Sequence, residues 1–235
     1  MNFLFVIPAR GGSKGIPGKN IKLFDNKPLI YYSIELARLF ASDQDICVST
    51  DSEEIAACVR NAGLEVPFLR PPELASDSAG THEVLQHAVA FYQSIGRTYD
   101  ALILLQPTSP FRKEIHLREA MAMYNSGLDM VVSVKESAAN PYFNLFEEDS
   151  RGFLGLSKEG GRANRRQDMP KVYEYNGSIY IVNISSLLSV KSFVEFKAIR
   201  KYVMEEKYSI DLDTPDDWEY AEYLIRKNRW AEKNI

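Results

Sequence analysis

The sequence predicts an α/β protein with a Rossmann-like, mostly parallel sheet flanked by helices, in a single domain over residues 1–235. Three observations support this class. Short apolar runs alternate with amphipathic stretches of helical period. The apolar runs are continuous, as is typical of strands buried on both faces. Polar loops follow several of these strands, at the edge where open parallel sheets bind ligands.

The individual elements follow in a regular order. Five apolar runs predict buried strands, over residues 3–7, 46–49, 101–105, 130–134 and 177–182. Residues 66–69 predict a short strand, and the proline within it indicates a position at a sheet edge. Helical spacing predicts helices over residues 28–41, 52–62, 81–95, 114–125 and 215–233. For the last helix, Thr214 is the expected N-cap, Pro215 the first helical residue and Asp217 the partner in a capping box.

Residues 136–176 interrupt this order. Helical periodicity fades there, and polarity rises in the stretch "SKEGGRANRRQD". We expect a β-rich or irregular insertion that contacts a second subunit.

Charge and cysteine content exclude several classes of protein. A net charge of −4 argues against general nucleic-acid binding, and a local basic patch then indicates a small anionic ligand. Cys47 and Cys58 cannot form a framework of several disulfides, so we expect free thiols and a cytoplasmic protein. No apolar run reaches the roughly 18 residues of a membrane span, and no basic segment precedes the first run as in a signal peptide.

The loop "IPARGGSKGIPGKN", residues 7–20, follows the first predicted strand. Its glycines allow close approach of the backbone to a ligand, and Arg10, Lys14 and Lys19 add positive charge. This combination suits a polyphosphate, although an ordinary solvated loop is the alternative. The loop is neither a Walker loop nor the G-x-G-x-x-G dinucleotide fingerprint.

Asp211 and Asp213 form a second candidate site. Two carboxylates one residue apart on an extended segment project to the same face and can bind Mg²⁺. The alternative is that they are acidic residues near a helix start, as Asp216 and Asp217 are by their position.

Two further segments carry polar groups that could bind a ligand. The stiff turn from Gln106 to Pro110 could contact a base or sugar, or could serve only as a turn. Arg162, Arg165 and Arg166 could bind carboxylate or phosphate, or form a solvated surface run. The three histidines, His82, His87 and His116, have no metal-like spacing, and we assign them no catalytic role.

Seven motifs together resemble one family. They are "IPARGGSKGIPGKN", "VSTDSEEIA", "LRPPELASD", "LQPTSPFR", "RRQD", "YNGSIYI" and "SIDLDTPDDW". In this order, from residue 3 to about 218, the chain resembles the nonulosonate cytidylyltransferases, also called CMP-sialic acid synthetases. CMP-Kdo synthetases share the fold but match these motifs less well.

The resemblance implies a reaction and a nucleotide site. The anomeric hydroxyl of a nine-carbon 2-keto acid attacks the α-phosphate of CTP, and pyrophosphate leaves. The implied CTP contacts are Arg10, Gly11, Lys14, Lys19, Asn20, Arg70 and Thr81. Among them Arg10, Lys14 and Lys19 hold the triphosphate, with Lys19 near the leaving pyrophosphate, and Asn20, Arg70 and Thr81 contact base and ribose. Asp211 and Asp213 match the Mg²⁺ ligands, and the implied catalytic residues are Lys19, Arg10 and Asp211, the last as general base unless a metal-held water has that role.

The resemblance also implies an acceptor site and a homodimer. The implied contacts of the sugar acid are Gln106, Arg166, Tyr180 and Phe193, with Arg166 on its carboxylate. Arg165 or Arg166 would act across the dimer. Some sialate-activating members carry a lysine two residues after a proline in the insertion, whereas Pro141 here precedes Tyr142 and Phe143. N-acetylneuraminate, its deaminated analogue and legionaminate therefore stay open. Pseudaminate is disfavoured because its enzymes tend to lack the glutamine of "LQPTSP".

Two other functions compete with this one. A GT-A-like glycosyltransferase would use Asp211 and Asp213 as its metal site and would consume a sugar nucleotide. The cationic loop argues for a triphosphate instead. A non-catalytic nucleotide-binding subunit is the other alternative, against which the retained Lys14, Lys19, Asp211 and Asp213 argue.

Overall fold

The computed structural model describes residues 1–76, 80–159 and 165–233, without the side chains of Arg166 and of residues 228–233. The strands are β1 (Phe3–Pro8), β2 (Leu23–Phe24), β3 (Lys27–Pro28), β4 (Ile46–Ser49), β5 (Ala101–Leu105), β6 (Met130–Glu136), β7 (Phe146–Glu148), β8 (Leu154–Leu156), β9 (Tyr173–Asn183) and β10 (Ile199–Val203). The α-helices are α1 (Leu29–Arg38), α2 (Glu53–Asn61), α3 (Thr81–Ser94), α4 (Glu114–Met123), α5 (Ile184–Ser189) and α6 (Pro215–Lys233). Short 3-10 helices cover Asp43–Asp45, Pro72–Leu74, Arg166–Asp168, Phe193–Glu195 and Glu206–Tyr208.

Six of the described strands form one central sheet in the order β10-β6-β9-β5-β1-β4. Strand β1 pairs in parallel with β4 and β5, and β10 pairs in parallel with β6. Strand β9 lies between β5 and β6 and runs antiparallel to both. The predicted class, a mostly parallel sheet flanked by helices, is confirmed.

Each face of the sheet buries a separate apolar cluster, because successive side chains of a strand point to opposite faces. Phe5 and Ile7 of β1 face a cluster that includes residues of α1, α2 and α4. Leu4 and Val6 face the opposite cluster, which includes residues of α3 and α5. The two faces explain why the strands read as continuous apolar runs in the sequence.

All five predicted helices are present, with ends that differ by at most three residues. The capping box of α6 is also present, since Thr214 N–H donates to Asp217 Oδ2 (2.8 Å) and Asp217 N–H donates to Thr214 Oγ1 (3.2 Å). None of the described helices is both long enough and apolar enough to cross a membrane.

The strand predictions need three corrections. Residues 66–69 do not form a strand, because only a single bridge joins Leu69 to Thr50. Strand β9 begins at Tyr173 and not at residue 177. The pattern also missed the two-residue strands β2 and β3, and β10, whose residues are mostly exposed at the sheet edge and so lack an apolar run.

The predicted insertion contains the small antiparallel hairpin of β7 and β8, which agrees with a β-rich or irregular segment. We call residues 137–172 the arm. Phe146, Phe153 and Leu154 of the arm are 53, 65 and 69% exposed. The extent of the predicted insertion, 136–176, and its role stay predictions.

Candidate active site

Four segments meet at the carboxyl edge of the parallel strands. The cationic loop follows β1, Asp51 follows β4, the turn from Gln106 follows β5, and residues 210–214 precede α6. The backbone joins two of them, since Leu212 N–H donates to the carbonyl of Thr108 at 2.9 Å. Between them lies a cleft of about 450 Å³. Its lining includes Arg10, Ser13, Lys14, Gly15, Lys19, Asn20, Gln106, Thr108, Asp211 and Asp213.

Lys19 connects the cationic loop to the acidic pair. Its side chain is buried, and its ammonium donates to the carbonyl of Leu212 at 2.7 Å and to Asp213 Oδ1 at 2.9 Å. Gly15 makes a second contact between these segments, because an added Cβ would lie 2.0 Å from the carbonyl oxygen of Asp213. The loop therefore contacts the Asp213 segment through the hydrogen bonds of Lys19 and through close backbone packing at Gly15.

Asp211 and Asp213 have different surroundings. Asp213 is exposed, whereas Asp211 is half-buried and its Oδ1 has no hydrogen-bond partner among the described residues. Burial raises the pKa of Asp211, and the nearby charges of Asp213 and Asp217 raise it further. A hydrogen bond with Thr108 and the charge of Lys19 oppose this rise. An unpaired buried carboxylate oxygen is costly unless something binds it.

This donor set fits a hard divalent cation such as Mg²⁺, which prefers oxygen ligands. The described residues contain no group of three or more His, Cys, Asp and Glu side chains that could hold a metal. Asp211 and Asp213 could thus supply two ligands, with water and substrate oxygens supplying the others, as is usual for Mg²⁺.

Several predicted nucleotide residues already have protein partners. Gly11 N–H donates to Asp51 Oδ1 at 2.9 Å, and Asn20 Nδ2 donates to the carbonyl of Arg10 at 3.0 Å. Arg70 is buried and donates to Ser49 Oγ at 3.1 Å, and its pKa is lowered by burial. Arg70 and Thr81 do not line the 450 Å³ cleft, and Thr81 begins α3.

The predicted acceptor residues Tyr180 and Phe193 belong to a cluster of ring side chains that also includes His82. Their rings stack with centroids 6.3 Å apart, and Phe193 also meets the ring of His82 edge-on at 5.5 Å. Burial raises the pKa of Tyr180 to about 12, so the phenol is neutral at physiological pH. Tyr180 of β9 pairs with Leu104 of β5. Leu104 is two residues before Gln106. Alternation along a strand predicts Leu104 and Gln106 on the same face.

Gly177 brings Gln106 and Asp211 together. Its backbone has a positive φ of 69°, which favours glycine. An added Cβ would lie 3.0 Å from Gln106 Oε1 and 3.1 Å from Asp211 Oδ2. Both side-chain oxygens therefore lie against the face of Gly177 where a side chain would otherwise be, and both residues line the cleft.

Sequence reasoning missed Arg112, which supports this part of the site. It is 7% exposed, and its Nη1 donates to the carbonyl oxygens of Gln106 (2.8 Å) and Ser178 (3.1 Å). Its Nη2 donates to Ser33 Oγ in α1. Burial lowers the pKa of Arg112 to about 9, and the charge of Asp211 opposes this effect. The residue ends the motif "LQPTSPFR", but a sequence pattern does not reveal that it is buried.

Of the three arginines in the predicted cluster of the arm, only Arg165 has a described side chain. Arg162 and the side chain of Arg166 lie outside the described residues. Arg165 is exposed and forms an ion pair with Asp168 at 2.9 Å.

A second cleft, of about 700 Å³, shares Asp211 with the first and is lined by Tyr175, Asn176, Lys207 and Tyr220 among others.

Comparison with known proteins identifies relatives over the whole chain. A family model described as cytidylyltransferase matches residues 4–235. The CMP-N,N'-diacetyllegionaminic acid synthase of Legionella pneumophila is 36% identical, and the match covers 98% of this chain and 99% of that protein. The pseudaminic acid cytidylyltransferase of Campylobacter jejuni is 31% identical, with 97% and 98% covered. The N-acylneuraminate cytidylyltransferase of Streptococcus agalactiae is 37% identical, but this chain spans only 55% of it.

Two solved structures share the fold. A CMP:2-keto-3-deoxy-manno-octonic acid synthetase complexed with CTP superposes with a TM-score of 0.68 at 18% identity, covering 97% of this chain and 100% of that one. The 4-diphosphocytidyl-2C-methyl-D-erythritol synthase of Anaerococcus prevotii gives 0.64 at 10% identity, with 96% and 99% covered. At these identities the likeness concerns the fold alone.

Proposed function

The chain belongs to the cytidylyltransferase family, in the group that makes CMP-nonulosonic acids, and we propose that it transfers CMP from CTP to a nonulosonic acid and releases pyrophosphate. One observation carries this proposal beyond the family match. The cationic residues Arg10, Lys14 and Lys19 line the same cleft as Asp211 and Asp213. A triphosphate between them would have positive charge along one side and a metal-binding pair at the other.

Phosphoryl-type transfer depends on positioning and on neutralising charge more than on covalent chemistry. In our proposal Arg10 and Lys14 hold the triphosphate, and Lys19 neutralises the leaving pyrophosphate. Asp211 and Asp213 would hold Mg²⁺, which would polarise the phosphate oxygens. Asp211, or a water held by the metal, would accept the proton of the attacking hydroxyl. Asn20 would contact the nucleoside at the cleft. The resemblance adds Gly11, Arg70 and Thr81, which lie outside the lining of the cleft.

For the acceptor, we propose that Gln106, Tyr180, Phe193 and Arg166 bind the sugar acid. The proximity of Gln106 to Asp211 at Gly177 supports this placement, since the attacking hydroxyl must reach the metal site. N,N'-diacetyllegionaminic acid is our first choice of substrate. A synthase of its CMP derivative matches this chain over nearly its full length, and "NPYFNLF" lacks the lysine noted above.

We also propose that the arm joins two copies of the chain into a homodimer. The exposed side chains of Phe146, Phe153 and Leu154 support this, because large apolar residues that cluster on a surface usually mark an interface. We expect the dimer to work in the cytoplasm, where CTP is available and the free thiols Cys47 and Cys58 stay reduced.

The proposed activity can be tested with purified protein, CTP, Mg²⁺ and a panel of acids. The panel contains N,N'-diacetyllegionaminic acid, N-acetylneuraminate, its deaminated analogue and pseudaminate. We expect pyrophosphate and a CMP-sugar in equal amounts with at least one of the first three, and none with CTP alone. ATP in place of CTP is the nucleotide control.

Two outcomes would contradict the proposed activity. Folded protein that releases no pyrophosphate with any acid would refute the proposal. Consumption of an added CMP-sugar by an acceptor sugar, without pyrophosphate, would support the glycosyltransferase alternative instead.

A further inference from the structure

Arg112 has an unusual environment for a buried arginine. Buried guanidinium groups normally pair with a carboxylate, because burial of an unpaired charge is costly. Among the described residues, the hydrogen bonds of Arg112 go to two carbonyl oxygens and one hydroxyl, and no carboxylate forms an ion pair with it. The charge is thus retained for a reason other than a simple buried salt bridge.

The hydrogen bonds of Arg112 join three separate elements. One nitrogen, Nη1, binds both the residue that follows β5 (Gln106) and a residue within β9 (Ser178), and Nη2 binds Ser33 of α1. A planar guanidinium holds such partners in a fixed relative geometry, which a lysine ammonium does not. The carboxyl end of β5 and the middle of β9 are therefore fixed relative to each other beside the cleft.

This fixed geometry reaches the reacting groups through Gly177. Ser178 follows Gly177 directly, and Gln106 Oε1 and Asp211 Oδ2 both lie against the face of Gly177 where a side chain would be. A shift of Ser178 would move Gly177, and a shift of the Gln106 backbone would move its side-chain amide. Arg112 binds the backbone at both Gln106 and Ser178 without lining the 450 Å³ cleft itself.

We propose that Arg112 is a positioning residue for the acceptor, holding Gln106 and Asp211 against Gly177 in the arrangement that places the sugar acid against the α-phosphate. The inference rests on the proposed function. Misplacement of a reacting group by about 1 Å can cost on the order of 100-fold in rate, so a residue outside the cleft can have a large effect.

The test is steady-state kinetics of Arg112→Lys, Gln106→Ala and the double variant. For Arg112→Lys we expect KM for the sugar acid to rise at least about fivefold and kcat to fall about tenfold, with KM for CTP within about twofold. Arg118→Lys is the matched control, since Arg118 is exposed and pairs with Glu114 on α4. It should behave like the parent enzyme.

The double variant separates positioning from general destabilisation. If Arg112 acts through Gln106, the effect of Arg112→Lys on KM for the sugar acid falls below about twofold in the Gln106→Ala background. Effects that multiply in full, or KM values that rise equally for both substrates, would overturn the inference.

A second variant covers the case in which Arg112→Lys does not fold. Ser33→Ala removes the hydroxyl that accepts a hydrogen bond from Arg112 Nη2 and leaves the residues of the cleft unchanged. A selective rise of KM for the sugar acid would support the inference, and an equal loss for both substrates would overturn it. A parent enzyme that makes no CMP-sugar would refute the proposed function itself, whereas an active parent with the overturning kinetics would refute only the role of Arg112.

Discussion

The ammonium of Lys19 lies 2.9 Å from Oδ1 of Asp213, a residue 194 positions further along the chain. The same carboxylate is a proposed ligand of Mg²⁺. The lysine and the cation therefore share one partner, and the phosphate groups of CTP offer the lysine another. Binding of metal and nucleotide should consequently be coupled through this side chain.

The first prediction concerns turnover. Lys19→Met should lower kcat/KM for CTP by about 10²–10³-fold, since the variant loses a charge directed at the leaving pyrophosphate. The control is Lys22→Met. Lys22 is exposed three residues away and lies over the ring of Trp218, so its loss should change kcat/KM by less than about twofold. Lys19→Met with parental kinetics would contradict the proposed role.

The second prediction concerns metal binding without nucleotide. Because the ammonium of Lys19 occupies Asp213, Lys19→Met should bind Mn²⁺ more tightly than the parent, by about fivefold or roughly 1 kcal/mol. Free Mn²⁺ can be measured from its paramagnetic resonance signal. Unchanged or weaker binding would show that the lysine and the cation do not compete.

The third prediction concerns stability and pH. Burial raises the pKa of Asp211, so the folded metal-free protein binds this proton more tightly than the unfolded chain, where the pKa is about 3.9. Above the raised pKa, the charged carboxylate lowers the free energy of unfolding, and this loss disappears as the pH falls through the raised pKa towards 3.9. Asp211→Asn should therefore raise Tm of the metal-free protein at pH 7.5, by about 2 °C or more.

The difference in Tm between Asp211→Asn and the parent should shrink as the pH is lowered. Asp216→Asn is the control, because Asp216 is exposed in the first turn of α6 and its charge stabilises that turn. It should not raise Tm. A gain for Asp211→Asn that stays constant down to acid pH would show that the charge of Asp211 is not the cause.

The fourth prediction uses two glycines of the cationic loop. Gly15→Ala should lower the free energy of unfolding by about 1–3 kcal/mol and weaken CTP binding, because its methyl group would collide with the carbonyl of Asp213. Gly12→Ala has no atom within 4 Å of the added Cβ and should leave the stability unchanged. Denaturant unfolding and calorimetric titration with CTP measure both effects. Equal stabilities of the two variants would contradict the observed contact.

The fifth prediction concerns the arm. Leu154→Glu places a charge in the proposed subunit interface and should convert the dimer to a monomer in light scattering. Ile95→Glu alters a similarly exposed apolar residue at the end of α3, outside the arm, and should leave the mass unchanged. A monomeric parent, or a dimeric Leu154→Glu variant, would refute the assigned interface.

Most of the fold could be predicted because its strands are buried on both faces. The run Ala101–Leu105 is wholly buried and reads as a strand without further information. Ile199–Val203 could not be found in this way, because it pairs with β6 at the sheet edge and exposes four of its five residues. An edge segment becomes a strand by pairing with its neighbour, and a local sequence pattern does not show this pairing.

The candidate site was predictable to the extent that it lies on glycine-rich and acidic segments. The sequence indicated that the cationic loop with Lys19 follows a buried strand, and the structure brings Lys19 to 2.9 Å from Asp213. It could not show that Gly11 donates its N–H to Asp51, or that Arg112 is buried against Ser178. These contacts join segments 40 and 66 residues apart, and only the folded chain brings them together.

The position of β9 has a consequence for biosynthesis. Strands β5 and β6 are made one after the other, yet they are not neighbours, because β9 fills the space between them. Until the ribosome has released residues 173–183, β5 has one open edge beside its pairing with β1, and β6 has two, since β9 and β10 are made later. Open backbone groups on these edges favour association with other chains. The period between synthesis of β6 and of β9, when the arm is translated, is therefore when we expect this protein to depend most on chaperones.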